Sequence, residues 1–297
     1  MAKQRRSLGG KVVAITGGAQ GIGKATATAL VRKGCRVAIG DIDLALAEKT
    51  AAGLGGGTIA LPLDVTDRAS FTSFVDEAER QLGPVDVVIN NAGIMPVTAL
   101  VDESDDSIKR QLDINIYGVI VGTQLAIERM RPRGSGHIVN IASQAGKTSI
   151  PGIATYSGTK HAVVGICEAV RAELRKSGVE VHCVMPTVVN TDLTAGLSQK
   201  LIPKVEAEDV ANEIVEALEF GRFDVYVPRS NAIMTRFSAL LPRSASEAIG
   251  RLMKADKLMF EVDHAARRAY EERAAASEPG LDEAPAAATE PAQRDAA

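Results

Sequence analysis

The sequence predicts a doubly wound α/β protein, with a mostly parallel seven-stranded sheet and a helical C-terminal extension. Three observations lead there. Short β-branched runs alternate with longer segments of helical period. The runs are apolar throughout rather than at every second residue, as strands covered on both faces require. A glycine cluster, from Thr16 to Gly23, stands between the first run and the first helical segment.

In chain order the expected strands are 11–16, 36–41, 58–65, 85–91, 137–143, 179–186 and 224–228. Between them, helical periodicity covers 22–34, 43–53, 67–82, 104–132, 154–177 and 206–220. Alternation of this kind gives parallel strands joined by right-handed crossovers. One domain is expected over 8–230. Beyond Pro228 the rhythm changes, and 231–275 reads as helices with no strong strand. The stretch 276–297 is rich in Ala, Pro and Glu, which suits a disordered tail.

Composition excludes several function classes. The chain of 297 residues carries a formal charge of −3, which offers no basic footprint for nucleic acid. With six Phe, four Tyr and no Trp, the core must be aliphatic. Cys35, Cys167 and Cys183 are too far apart for a CxxC motif and suit a reducing compartment. The basic start MAKQRRSLGG lacks an apolar signal region, and no run is long enough to span a bilayer, so a cytoplasmic location is expected. His137, His161, His182 and His264 are scattered and read as packing or surface residues, so no metal site is expected.

The glycine turn carries the first chemical signal. Glycine admits positive φ and lets the backbone approach a pyrophosphate, while the N–H groups opening the next helix face the anion. Gly17, Ala19, Gln20, Gly21, Ile22 and Gly23 are therefore the expected dinucleotide contacts. The second strand ends in Asp41, 18 residues after Gly23, where a carboxylate can accept from both adenosine ribose hydroxyls and repels a 2′-phosphate. Neither Gln20 nor Ile42 offers a positive charge, although Lys24 and Arg36 are nearby in sequence. NAD is expected over NADP.

The second signal is Tyr156 and Lys160, one helical turn apart on one face. A phenol of ordinary pKa near ~10 is a poor base at neutral pH unless a cation stabilises its phenolate. Lys160 supplies that cation, and Ser143, closing the fifth strand, can orient a substrate oxygen. Together they suit proton transfer in alcohol oxidation or carbonyl reduction, with Ser143 and Tyr156 touching substrate.

These motifs resemble the short-chain dehydrogenase/reductase family: TGGAQGIG, NNAG at 90–93, Asn115 in DINIYG, Ser143, YSGTK at 156–160 and PTVVNT from Pro186. The resemblance spans about 8–230 and implies a Rossmann-type domain. It implies that Asn115 binds a water relaying protons from Lys160. Lys160 and Tyr156 would meet the nicotinamide ribose, and Asp64 and Val65 would flank the adenine. Asn91, Ala92 and Gly93 would support the cofactor, and Pro186, Val189 and Thr191 would hold the carboxamide end. Thr187 departs from the family pattern, which has glycine after the proline; its hydroxyl and methyl would sit near the nicotinamide and the substrate mouth, altering pocket shape rather than abolishing hydride transfer. A homodimer or homotetramer is implied, with helices 104–132 and 154–177 pairing between subunits.

Loops at 94–97, 144–153 and 192–203 are expected to line the pocket, the last as a lid with Leu193, Leu197, Leu201 and Ile202. Their apolar character suggests a hydrophobic secondary alcohol or ketone, such as a steroid, a retinoid or a lipid-like alcohol. Lys147 reads as a solvated loop residue. Residues 231–260 set Ile233, Met234, Phe237, Leu240 and Leu241 among Arg236, Arg243 and Arg251. That pattern suits packing on the domain or a second subunit, with peripheral membrane contact as the alternative. Two further readings stand beside the NAD-dependent dehydrogenase: an NADPH-dependent carbonyl reductase, against which Asp41 argues, and a non-catalytic NAD-binding regulator, against which the intact Ser143, Tyr156, Lys160 and Asn115 set argues.

Overall fold

The computed structural model describes residues 5–196, 205–238, 242, 244 and 263–276. Its elements begin with β1 (Val12–Thr16), α1 (Gly21–Arg32), β2 (Arg36–Asp41), α2 (Leu44–Leu54), β3 (Ile59–Pro62), α3 (Arg68–Leu82) and β4 (Val87–Asn90). There follow α4 (Asp105–Leu112), α5 (Gly118–Met130), β5 (Gly136–Ile141), α6 (Ala154–Glu173) and β6 (Val179–Pro186). The rest are β7 (Val189–Asn190), β8 (Val205–Glu206), α7 (Ala207–Phe220), β9 (Asp224–Val227), α8 (Asn231–Ser238) and α9 (His264–Ala276).

Seven strands form one sheet in the order β3-β2-β1-β4-β5-β6-β9, with every pairing parallel. Alternate residues of β1 enter opposite cores: Val12 and Ala14 pack with Phe71, Val121 and Val163, while Val13 and Ile15 pack with Leu30, Ile214 and Leu218. That two-sided burial explains the continuous apolar runs. β7 and β8 form a separate two-stranded parallel pair.

The strand order reverses between β1 and β4, which opens a crevice at their carboxyl ends. The glycine turn leaves β1 there, and Asn91 to Gly93 leave β4 beside it. Helix α2 is capped by Asp43, whose side chain accepts from Leu46 N–H at 2.9 Å, and α3 by Asp67, which accepts from Ala69 and Ser70 N–H.

One expectation changes. The segment 104–132 is not one α-helix: a π-helical turn at Asp113–Tyr117 separates α4 from α5. The apolar periodicity runs through it, so the extra residue leaves no mark in the pattern. At Thr187 the backbone needs no glycine. Its N–H donates to Val227 O at 2.9 Å, extending the β6–β9 ladder by one residue, and its φ is not positive. Within the expected extension, α8 and α9 are helical. Leu197, Leu201 and Ile202, the segment 245–262 and the tail from 277 lie outside the described residues. No helix among the described residues is long and apolar enough to cross a membrane.

Candidate active site

The cofactor side is assembled from short-range contacts. Gly17 and Gly21 adopt φ of +61° and +54°, which side chains other than glycine's rarely allow. A Cβ at Gly23 would stand 2.2 Å from Gly17 O, so only glycine lets α1 pack onto the turn. Gln20 makes no side-chain cap and the first turn of α1 holds no acid, leaving its N–H groups open to an anion. Across the crevice, the nearest neighbour of a Cβ at Gly21 would be Thr191, at 3.5 Å.

Asp41 closes β2 against this turn. Its carboxylate accepts from Ala19 N–H at 3.0 Å and Asp43 N–H at 3.2 Å, and burial raises its pKa against the pull of those bonds. From β4, Asn91 Nδ2 donates to Thr16 O at 2.9 Å and to Gly17 O at 2.8 Å. The Thr16 hydroxyl in turn accepts from Asn91 and Ala92 N–H, both at 3.0 Å. The two strand ends at the crevice are thereby tied together. This cradle fits a dinucleotide: its glycines leave the space that a Cβ would fill, and the Asp41 carboxylate closes β2 beside it.

Asp64 and Val65 are less free than the sequence suggests. The Asp64 carboxylate accepts from Thr66 N–H and Oγ1 at 2.8 and 2.7 Å, and the buried Val65 side chain packs beside Gly118. Val189 is buried in the small β7–β8 pair, and Pro186 O lies 3.5 Å from Ser143 Oγ.

Helix α6 presents Tyr156, Lys160, Val163, Val164 and Cys167 on one buried stripe. Tyr156 is 7% exposed, packed among Met95, Ala145 and Ile153, with Val97, Ile150 and Leu193 alongside. Burial pushes its phenol well above the ordinary value, and a hydrogen bond with Ser143 pulls the other way. Lys160, 4% exposed, lies 5.6 Å from the Tyr156 ring centroid and donates to Ile141 O at 2.8 Å. Burial pushes its ammonium down to about 8. Ser143 Oγ accepts from Ala145 N–H at 3.1 Å, which holds it at the mouth of β5.

The π turn explains where Asn115 stands. Its Oδ1 accepts from Ile94 N–H at 2.9 Å, while Nδ2 donates to Ile94 O at 2.9 Å and Thr159 Oγ1 at 3.2 Å. The side chain is thus committed to the loop after β4 and to α6, and it fixes the loop that carries Met95.

Sequence reasoning missed two groupings. Among the described residues, His137, Glu180 and His182 gather their ligating atoms within 4.8 Å at the amino edge of the sheet, away from the crevice. Each is already engaged. His182 Nδ1 must donate to Arg222 O at 2.6 Å, so its Nε2 accepts from His137 Nδ1 at 3.1 Å. Glu180 pairs with Arg6 at 2.7 Å. Burial pushes the His182 imidazole down to about 4. The second grouping is Arg267 and Tyr270 of α9, whose side chains reach the loops around Tyr156. A buried stripe at Arg267, Tyr270 and Ala274 was present in the sequence, but an arginine on such a stripe reads as solvated.

Comparison with known proteins agrees with this architecture. A model of the family described as short chain dehydrogenase matches residues 11–202. The chain is similar to 17-beta-hydroxysteroid dehydrogenase 13 of Rattus norvegicus, 31% identical over 274 residues, covering 90% of each chain. It is also similar to the sorbitol dehydrogenase of Cereibacter sphaeroides, 36% identical over 221 residues, 72% of this chain and 85% of that one. Among solved structures it resembles a short chain dehydrogenase/reductase from Burkholderia phymatum in complex with NAD, with a TM-score of 0.72, 26% identity and coverage of 78% and 93%. The chain belongs to the short-chain dehydrogenase/reductase family of oxidoreductases.

Proposed function

We propose that this protein is an NAD-dependent dehydrogenase of hydrophobic secondary alcohols, reversible as a ketone reductase, with Tyr156 as general acid and base. One observation carries the reading: a buried Tyr156 whose ring lies 5.6 Å from the Lys160 ammonium, at the crevice where the glycine turn opens and Ser143 stands at the mouth of β5.

Bound NAD would supply the hydride acceptor. Gly17 to Gly23 and the opening of α1 would hold its pyrophosphate, Asp41 its adenosine ribose, and Pro186, Val189 and Thr191 its nicotinamide end. Asn91, Ala92 and Gly93 would line the crevice behind it, and the main chain at Asp64 and Val65 would border the adenine. Asp41 supports NAD over NADP, because a 2′-phosphate would meet a half-buried carboxylate that no guanidinium among the described residues pairs with.

During oxidation Tyr156 takes the hydroxyl proton while Ser143 holds the same oxygen. Burial alone opposes a phenolate at Tyr156 and an ammonium at Lys160. The two charges therefore favour one another, and a lysine cation beneath the ring lowers the cost of the phenolate. Lys160 spends one donor on Ile141 O and keeps others for ribose hydroxyls. Because Ile94 and Thr159 take both Nδ2 donors of Asn115 and Ile94 N–H engages its Oδ1, a relay water would be held by the main chain of the π turn.

The apolar wall of Met95, Val97, Ile150, Ile153 and Leu193 supports a steroid-, retinoid- or lipid-like substrate over a polyol. Of the two relatives, the hydroxysteroid dehydrogenase is the nearer guide. Leu112 and Tyr117, exposed around the π turn, and the open Gly158 and Gly165 face of α6 support pairing of two copies. Ile233 and Phe237 stand 77% and 63% exposed one turn apart on α8, which supports peripheral membrane contact as a second role. Vesicle co-sedimentation that is lost in Phe237→Ser would test it.

The functional test is NADH formation by the purified chain with steroid alcohols, retinol, long-chain secondary alkanols and sorbitol, using NAD and NADP side by side. Turnover of an apolar alcohol with NAD is the expected result. Turnover confined to sorbitol, or a preference for NADP, would contradict the reading.

A further inference from the structure

Helix α9 buries three side chains in one stripe: Arg267 at 0% exposure, with Tyr270 and Ala274. A guanidinium removed from water is costly unless its donors are satisfied. Here they are spent on main-chain carbonyls. Nη1 donates to Leu193 O at 3.0 Å and Ala195 O at 3.2 Å, and Nη2 donates to Met95 O. Nε bonds the half-exposed Glu271 at 3.0 Å, and the guanidinium stacks 4.9 Å from the Tyr270 ring centroid.

Tyr270 completes the grip, since its hydroxyl accepts from Met95 N–H at 2.8 Å. Both backbone groups of Met95 are therefore held by α9, while its side chain packs against Tyr156. On the other loop, Asp263 N–H donates to Gly196 O at 2.9 Å, and Arg273 pairs with Asp192 at 2.7 Å. The approach is close enough that a Cβ at Gly196 would lie 2.5 Å from Asp263 O.

We propose that Arg267 and Tyr270 are positioning residues that set substrate size preference, by locking the loops bearing Met95 and Leu193 as the wall facing Tyr156. The proposal rests on the alcohol dehydrogenase reading above and names which part of the chain shapes that pocket. A planar fork reaching two loops at once is what the geometry uses, and a lysine, with the same charge on a single point, cannot reproduce it. The wall so fixed is apolar and rigid, which favours a bulky rigid alcohol over a small or flexible one.

The test uses the full chain as wild type, Arg267→Lys and Tyr270→Phe, the last a mild change that keeps the ring. With NAD saturating, Arg267→Lys should raise KM for a steroid alcohol about tenfold and change kcat less than about threefold. KM for a short secondary alcohol should stay within about twofold, and NAD affinity by calorimetry should be unchanged. Amide hydrogen exchange should quicken in 93–97 in Tyr270→Phe, and in both 93–97 and 192–196 in Arg267→Lys. A common loss of kcat for both alcohols with KM unchanged would overturn the proposal, as would unaltered exchange in both loops. Exchange needs no substrate, so a wild type inert towards every alcohol would sink the dehydrogenase reading while the grip of α9 on its loops is still decided.

Discussion

The two sides of the crevice are built in opposite ways. The cofactor side is a local construction: Thr16 to Gly23, Asp41 and Asn91 lie close in sequence or on adjacent strands, and glycines let their backbones touch. The substrate side is a remote one, in which Met95 is held by Arg267, 172 residues further along the chain. The contrast separates a cradle built from neighbouring backbone segments from a wall assembled across the length of the chain. Binding a dinucleotide calls for a fixed backbone shape, while choosing an alcohol calls for a wall that can be changed without disturbing that shape.

Tyr156 stands between the two sides, and its removal should have the largest effect. Tyr156→Phe keeps the packing among Met95, Ala145 and Ile153 and removes only the proton donor, so kcat should fall about a thousandfold with NAD affinity intact. Steady-state kinetics with calorimetry checks this, and a comparable loss of NAD binding would count against the separation.

Next comes the cofactor side alone. Gly23→Ala forces a Cβ into Gly17 O and should cost about 3 kcal/mol of stability. Urea denaturation would measure that cost, and NAD affinity should weaken with it. A well-folded variant that binds NAD normally would show that the close approach is not required.

The amino edge of the sheet offers a comparison remote from both sides. His182 is held neutral, its pKa depressed from 6.5 to about 4, so the unfolded chain binds the extra proton between those values. Stability is then fully present above the upper value and is lost as pH falls through the window, by about 3 kcal/mol. His182→Gln should flatten that acid slope in urea midpoints measured across it, and an unchanged slope would assign the acid sensitivity elsewhere.

The smallest expected effect is a shift of cofactor choice. Asp41→Ser with Ile42→Arg places a cation where the exposed Ile42 now stands. The ratio of kcat/KM for NADP over NAD should rise about tenfold or more. An unmoved ratio would mean that Asp41 does not set the preference.

The sequence made the cofactor side legible because its signals are local. Tyr156 and Lys160 share a helix face, and Gly17 to Gly23 follow a buried strand directly. Apolar strands and alternating helices also fixed the seven-stranded sheet in advance. Asn115 was placed in the site by resemblance, but its commitment to Ile94 follows from a π turn, and one inserted residue does not disturb apolar periodicity. Thr187 looked like a disturbance, yet its N–H continues the hydrogen bonding of β6 with β9 at a φ that is not positive, which any side chain allows. The roles of Arg267 and Tyr270 were hidden in a charged helix whose buried stripe becomes meaningful only once the loops it meets are known. The pairing of His137 with His182 depends on strand register between β5 and β6, which spacing along the chain does not give.

The most direct test of hydride transfer follows the label. The chain would be incubated with NAD and a bulky apolar secondary alcohol deuterated at the carbinol carbon, and the recovered cofactor examined by mass spectrometry. The account predicts reduced cofactor carrying a single deuterium, and none when Tyr156→Phe replaces the wild type. Reduced cofactor without deuterium, or NAD recovered unchanged with every alcohol of this class, would contradict it.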